Sequence, residues 1–293
     1  MFYLLQLTNK CNNNCVFCAR VCSFDQLSLD DVYSKVKFLD SRVDTVIVSG
    51  GETLMYPNLF NVIRLLKKRN LKVHLQTNAT LINEAIALKI ASSGINNVII
   101  NFSGLKSEYT SITRNPLSFK YAVLGLKNLV KHIDVLNIEV VIVITKLNYK
   151  TLVDICKFLN KISPKIVIYF SYIQKCTQSY DMIKKNAVNY DLLKPYLNNA
   201  LKFCSLNSIN FKISHIPLCY IDKDYHSLVV DAKINNPAFL EDFIDVNEVL
   251  YFDSEKEKQE FVYLRKCNNC KFKSECVGFP DYYNEVFLQQ KNV

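Results

Sequence analysis

Along most of this chain the hydrophobic positions switch between two periods. Runs of β-branched and apolar residues at 2–8, 45–49, 71–77, 97–102, 138–145 and 165–171 read as strands. Between them, apolar residues recur three and four positions apart at 28–39, 58–69, 82–93, 116–131 and 151–159, the spacing of an amphipathic helix. Local signals agree with these boundaries. Ser28-x-x-Asp31 resembles a helix-opening cap, Gly94 stops the third helix, and Pro116 stands near the start of the fourth. The stretch from 103 to 115 reads as a loop.

Strand, loop and helix thus alternate six times over about 170 residues, the order of parallel βα units. With right-handed crossovers, that order predicts either an open twisted sheet or a partial barrel. In both, ligands gather at the carboxyl ends of the strands. Beyond residue 171 the pattern changes: a helix at 191–206 leads to an apolar stretch at 210–215, and a cysteine-rich tail follows. We read residues 1–208 as the α/β unit and 209–293 as a small cysteine-held appendage.

Apolar residues make up 49% of the 293 positions, enough for a substantial core and too many for a disordered chain. The longest apolar runs, such as 140–144, fall far short of the roughly 20 residues that span a bilayer. Eleven cysteines with no signal peptide point to a reducing, cytoplasmic compartment where thiols stay available for metal. The net charge of +9 is unevenly spread: residues 241–260 carry eight acids and two bases, which leaves +15 on the rest. So basic a body would attract nucleic acid or an acidic partner. No nucleic-acid-binding signature accompanies the lysines, and a solvated surface accounts for them. Arg64, Lys67, Lys68 and Arg69 cluster at a helix end, where cations complement the dipole.

The candidate chemistry starts directly after the first strand. Cys11, Cys15 and Cys18 stand in the order Cys-x3-Cys-x2-Cys. Three thiolates so spaced can fold around one corner of a [4Fe–4S] cube and leave the fourth iron open to a substrate or cofactor. A zinc knuckle completed by a distant ligand is the other reading. Gly50-Gly51-Glu52 follows the second strand and should meet the cysteine loop at one face. Glycine there lets backbone approach a ligand closely, and the carboxylate could accept hydrogen bonds from an ammonium group.

Together, these two motifs resemble those of the radical S-adenosylmethionine (SAM) enzyme superfamily, over roughly residues 1–172. The resemblance implies an α/β fold, a partial (βα)6 barrel, with a [4Fe–4S] cluster on Cys11, Cys15 and Cys18 and SAM on its open iron. It places Phe17 at the adenine, Gly50, Gly51 and Glu52 at the methionine amino group, and Gln76, Thr77 and Asn78 near the ribose. Ser103 joins the implied cofactor-binding set, and Arg114 is either a partner of the SAM carboxylate or a surface arginine. The segments ITRNPLSF around Arg114 and ITKLN ending at Asn148 look like the family's fourth-to-fifth unit. The sequence departs from many relatives with Tyr109-Thr110 in place of His-Asp and with Ala79 where glycine is frequent. The implied reaction is reductive cleavage of SAM, with an electron donor such as flavodoxin or ferredoxin. The resulting 5′-deoxyadenosyl radical takes a hydrogen atom from substrate.

Cys267, Cys270 and Cys276 form a second tight thiolate set, with Cys219 as the expected fourth ligand and Cys204 as its rival. Their order resembles the auxiliary-cluster tails called SPASM and Twitch, which implies a second, auxiliary [4Fe–4S] cluster; zinc on the same thiolates is the alternative. Cys204 reads as helix packing, and Cys22, Cys156 and Cys176 as buried or incidental thiols. His74 reads as a core or barrel-lining residue, His215 and His226 as surface histidines flanking Cys219, with a role as metal ligand or as support to one the alternative, and the 17 tyrosines as aromatic filler.

The leading expectation is hydrogen-atom abstraction from a peptide or protein substrate. Within the family, the alternative is a dehydrogenase or rearrangement enzyme acting on a small molecule or cofactor precursor. Outside it, the alternative is a non-catalytic zinc or iron–sulfur protein that binds nucleic acid. The chain starts almost on its first strand, which predicts no separate N-terminal peptide-recognition domain. Neither nucleic acid nor membrane is an expected partner of the leading reading.

Overall fold

The computed structural model describes residues 2–18, 26–174, 180–233 and 261–288; Cys22, Cys176 and the acidic stretch 241–260 lie outside them. Its centre is a seven-stranded sheet whose strands follow in sequence order. They are β1 (Phe2–Gln6), β2 (Thr45–Ser49), β3 (Lys72–Thr77), β4 (Asn97–Asn101), β5 (Asn137–Ile144), β6 (Val167–Tyr172) and β7 (Phe211–Ser214). Every neighbouring pair is parallel, so all carboxyl ends face one way, with Gln6 opposite Ser49 and Ser171 opposite Ser214. An order without a switch point keeps all crossover helices on one face, as in a barrel; β1 and β7 are the end strands, and Ile213 on β7 is bridged to Val229, whose neighbour Val230 donates to the Ile213 carbonyl at 2.9 Å.

The helices are α1 (Leu29–Lys37), α2 (Leu59–Lys68), α3 (Glu84–Ser92), α4 (Lys106–Thr113), α5 (Ser118–Val130), α6 (Leu152–Ile162), α7 (Tyr180–Asn186) and α8 (Tyr190–Leu206). Their stripes bury against alternate strand residues. On α2 these are Leu59, Val62, Ile63 and Leu66, each worth about 2 kcal/mol when withdrawn from water. Val46, Val48, Val73, Leu75, Val98 and Ile100 meet that layer and are fully buried. The intervening residues line the inner face, where Lys212 on β7 reaches past β6 to Glu139 on β5 at 2.7 Å. His74 shares that face, half-buried, and its burial lowers its pKa.

Two elements differ from the sequence reading. The stretch read as a loop at 103–115 contains α4, whose polar sequence KSEYTSIT hides a buried pair, Tyr109 and Ile112. A seventh strand continues the parallel sheet past residue 208, with α8 as its crossover, so the four residues of β7 lie in the part read as appendage.

The tail packs onto this end of the sheet. A short antiparallel pair, β8 (Phe261–Val262) with β9 (Phe279–Pro280), precedes α9 (Tyr282–Phe287). Its joint is aromatic. Tyr190 stacks between Tyr172 and Tyr283 at centroid distances of 4.4 and 4.7 Å, and Tyr283 meets Phe279 at 5.1 Å. The Tyr190 N–H donates to Tyr283 Oη at 3.0 Å, and the Tyr282 hydroxyl donates to the Ile173 carbonyl. Tyrosines read as filler therefore fasten the tail. Among the described residues no helix is long and apolar enough to cross a membrane.

Candidate functional site

The loop carrying Cys11, Cys15 and Cys18 leaves the carboxyl end of β1 and lies across the end of α4. Asn14 and Val16 N–H groups donate to the Thr113 and Ile112 carbonyls at 3.0 and 2.9 Å, which satisfies carbonyls the helix leaves unpaired. Arg114 closes α4 in the left-handed region, φ 52°, and turns the chain so that Asn115 Nδ2 donates to Asn12 O and Asn13 Oδ1 at 2.9 and 3.0 Å. On the other side Asn12 donates to Thr80 Oγ1 at 2.7 Å and accepts from Asn78 Nδ2 at 2.8 Å. The loop is thus held by β3 and α4 together.

None of the three cysteines is in a disulfide, and all are partly exposed. The Asn13 N–H donates to Cys11 Sγ at 3.4 Å, and Asn78 Nδ2 lies 3.9 Å from the same sulfur. N–H groups aimed at sulfur favour the thiolate, the form that ligates iron. Tyr109, singled out in the sequence only as a departure, is buried; Cys15 and Glu52 are close enough that their charges add to the effect of burial in raising its pKa.

Gly50 and Gly51 have a partner that sequence reasoning did not foresee. The backbone they approach belongs to the chain itself. Gly51 N–H donates to Thr8 O at 2.6 Å and Glu52 N–H to Lys10 O at 2.8 Å. A Cβ on Gly50 (φ +150°) would stand 2.6 Å from Thr8 O, and one on Gly51 only 2.1 Å from Lys10 O. Glu52 is fully enclosed. Its Oε1 accepts from Leu54 N–H at 3.1 Å and Thr77 Oγ1 at 2.7 Å, and its Oε2 from Asn78 N–H at 2.7 Å. Burial raises its pKa while these three donors pull it back. The carboxylate ties the ends of β2 and β3 together and so sets Asn78 beside Cys11.

The remaining expected residues are spread more widely. Phe17 is half-buried and packs against the core. Ser103 is closed in between β4 and β5: its hydroxyl accepts from Val143 N–H at 2.9 Å, and its carbonyl accepts from Asn148 Nδ2 at 2.6 Å. Arg114 is exposed, with its guanidinium 3.5 Å from Met182 Sδ. Asn12, Thr80 and Asn115 were missed. The signal available was asparagine density in CNNNC and ITRN, which by itself does not say what the amides grip.

In the tail, Cys219 sits on a short 3-10 turn, Leu218–Tyr220, opposite Cys267, Cys270 and Cys276. Burial pushes the Cys219 thiol up to about 11; nearby Cys276 pushes the same way, Lys266 opposes, and Cys270 and Cys267 add to the rise. Leu218 and Gly278 N–H groups donate to Cys276 Sγ at 3.5 and 3.3 Å. Cys204 lies elsewhere, buried in α8, where its thiol shares a hydrogen bond with Cys156. Among the described residues, no group of three or more His, Cys, Asp or Glu side chains is arranged so that it could hold a metal ion.

Both flanking histidines are buried, contrary to the surface placement expected. His226 Nε2 lies 3.0 Å from the Leu218 and Ile221 carbonyls and its ring meets Phe272 edge-on at 4.8 Å, so it clips the Cys219 turn to the tail. His215 follows β7 at φ 60°. Its N–H donates to Asp231 Oδ2 at 2.7 Å, and its ring nitrogens face Ser171 Oγ at 3.3 Å and Gln174 Nε2 at 2.7 Å. Burial lowers the imidazole pKa and Asp231 opposes this.

A family model described as the radical SAM superfamily matches residues 5–159, more than half of the chain. The chain belongs to the radical SAM superfamily. Membership implies a [4Fe–4S] cluster and SAM; the chemistry of the donors suits the cluster, three thiols outside any disulfide with the Asn13 N–H turned toward Cys11 Sγ, although their side chains do not converge on one point in this structure. It displaces the reading as a non-catalytic nucleic-acid-binding protein. The chain is 26% identical over 231 residues to a tungsten-containing aldehyde ferredoxin oxidoreductase cofactor-modifying protein of Pyrococcus furiosus, covering 74% of this chain and 64% of that one. It is 27% identical over 132 residues to an AdoMet-dependent heme synthase of Methanosarcina barkeri, covering 43% and 38%. The chain thus spans less than two thirds of the length of these relatives. Its fold is shared with native anSMEcpe bound to AdoMet and the Cp18Cys peptide, TM-score 0.64 at 16% identity over 98% and 94% of the chains. It is also shared with Streptococcus suis SuiB bound to precursor peptide SuiA, TM-score 0.59 at 16% identity over 72% and 48%.

Proposed function

We propose that this radical SAM enzyme removes a hydrogen atom from a peptide or protein substrate held at the carboxyl ends of its strands. When bound, the cluster and SAM supply the one-electron chemistry. The protein's part is placement. Cys11, Cys15 and Cys18 would hold the cluster in a loop fixed by Asn78 and Asn115. Phe17, Gly50, Gly51, Glu52, Thr77, Asn78, Ser103 and Arg114 would shape the SAM site, Glu52 and Ser103 from behind it, through the backbone they order. Cys219, Cys267, Cys270 and Cys276 would hold an auxiliary [4Fe–4S] cluster.

One observation carries the peptide reading: the overlay with an enzyme bound to peptide runs through the cysteine-rich tail, where Cys276, Cys270 and Cys267 lie near enough to Cys219 for their charges to act on its thiol. A second reading, modification of a cofactor or small molecule, is favoured by the Pyrococcus furiosus relative, whose match covers most of this chain.

The test is anaerobic reconstitution followed by reduction with dithionite and SAM. The protein should hold about eight irons and form 5′-deoxyadenosine, and Cys270→Ala should lose about half of the iron. Absence of 5′-deoxyadenosine from the iron-loaded protein overturns the enzyme reading. Deuterium passing into 5′-deoxyadenosine from a deuterated peptide encoded by a neighbouring gene supports the peptide substrate; transfer only from small molecules replaces it with the second reading.

A further inference from the structure

The lysines of the tail lie on aromatic rings around its cysteines. Lys266 Nζ stands 4.9 Å from the Tyr220 ring and 4.8 Å from the Phe279 ring and donates to Tyr220 Oη at 2.5 Å. Lys271 sits 4.9 Å from Phe272, and Lys233 and Lys273 share Tyr263 at 5.4 Å each. Five of the nine such contacts among the described residues therefore gather at this one small element. Lys266 and Lys271 are chain neighbours of Cys267 and Cys270. All four lysines are exposed, and none forms an ion pair with a described carboxylate.

An unpaired surface lysine is ordinarily a solvated, swaying charge. A ring beneath it restricts the sway and keeps the ammonium in water. Several ammonium groups held this way form a positive surface whose ordering cost on binding is already reduced. We propose that this lysine rim is the docking surface for a small acidic electron-carrier protein. The proposal rests on the reading of the tail as a redox site. It concerns docking alone. Charge selects an acidic partner, and the adjacency of the cations to Cys267 and Cys270 selects one whose business is with those thiols.

The test uses reconstituted holoenzyme and purified oxidised flavodoxin, titrated by calorimetry at about 20 mM and about 200 mM salt. Binding is expected at low salt and should weaken more than about tenfold at high salt. The double variant Lys271→Gln/Lys273→Gln, which leaves the Lys266 contact intact, should weaken low-salt binding about tenfold, and Lys271→Arg/Lys273→Arg should restore it. Lys37→Gln/Lys68→Gln, on α1 and α2, removes the same charge and should leave binding unchanged. The proposal falls if flavodoxin does not bind, if the tail pair has no effect, or if the α1/α2 pair weakens binding equally. It also falls if a polyglutamate peptide competes with the same lysine dependence, which makes the rim a site for acidic peptide. Binding that emerges only after the acids of 241–260 are changed to amides overturns it too, because the chain's own charge then meets the rim. Iron content of Cys270→Ala reports separately on the auxiliary cluster.

Discussion

Gly51→Ala separates two reasons for a glycine at the end of β2. A Cβ there falls 2.1 Å from Lys10 O, 2.6 Å from Lys10 C and 2.7 Å from Asn9 O. All three are backbone atoms of the segment entering Cys11, so no rotamer change relieves the overlap. Gly51 has no positive φ, so alanine is not penalised conformationally. Steric overlap is the whole effect. Restoring ordinary contact requires the segments to part by about 1 Å, which stretches Gly51 N–Thr8 O and Glu52 N–Lys10 O from 2.6 and 2.8 Å beyond hydrogen-bonding range. Two backbone hydrogen bonds at about 1 kcal/mol each, plus about 1–3 kcal/mol of overpacking, give a loss of about 3–5 kcal/mol. That is a large share of the roughly 5–15 kcal/mol available to a domain. Urea unfolding of the apoprotein reads the loss, and iron content after reconstitution reads the displaced loop. The variant should be destabilised and should lose the iron of Cys11, Cys15 and Cys18 while keeping that of the tail. Stability within about 0.5 kcal/mol of wild type together with full iron would refute the reasoning. Full stability with lost SAM binding would assign the glycine to the ligand instead.

Three further outcomes follow from local geometry. Glu52→Gln keeps the shape but turns one oxygen into a donor facing donors, so the urea midpoint should fall by the equivalent of about 2 kcal/mol; an unchanged midpoint removes the carboxylate from its linking role. Ala79 is buried at φ 61°, and Ala79→Gly should be neutral to about 1 kcal/mol stabilising, relief of left-handed strain being partly offset by a looser unfolded chain. Marked destabilisation would contradict it. His215 has a pKa below its ordinary 6.5, so between the two values the unfolded chain binds the extra proton. Wild-type stability should therefore rise with pH through that window and level off above 6.5, and His215→Gln should lose that component. Equal pH slopes in both proteins would show that the imidazole does not titrate on unfolding.

Much of the barrel was legible because its information is local. Strand positions followed from β-branched runs, and the Ser28–Asp31 capping box is present with Ser28 as N-cap. α4 escaped because its buried residues are Tyr109, Ile112 and the polar Thr113, too few apolar positions to register as a period. The histidines were misplaced for a related reason. Polarity predicts exposure only when no carbonyl or carboxylate waits inside, and Leu218 O, Ile221 O and Asp231 do.

The sequence by itself determined the alternation of strand and helix and the two cysteine sets with their spacing. Periodicity and ligand spacing are properties of neighbours in the chain. Tertiary structure decided the rest. Only the folded chain sets Gly51 against Lys10, turns Glu52 toward Thr77 and Asn78, pairs Cys204 with Cys156, and brings Asn115 to Asn12, 103 residues away. Each of these is a contact between segments whose approach depends on the whole sheet closing around its core, and no local pattern of residues encodes that approach.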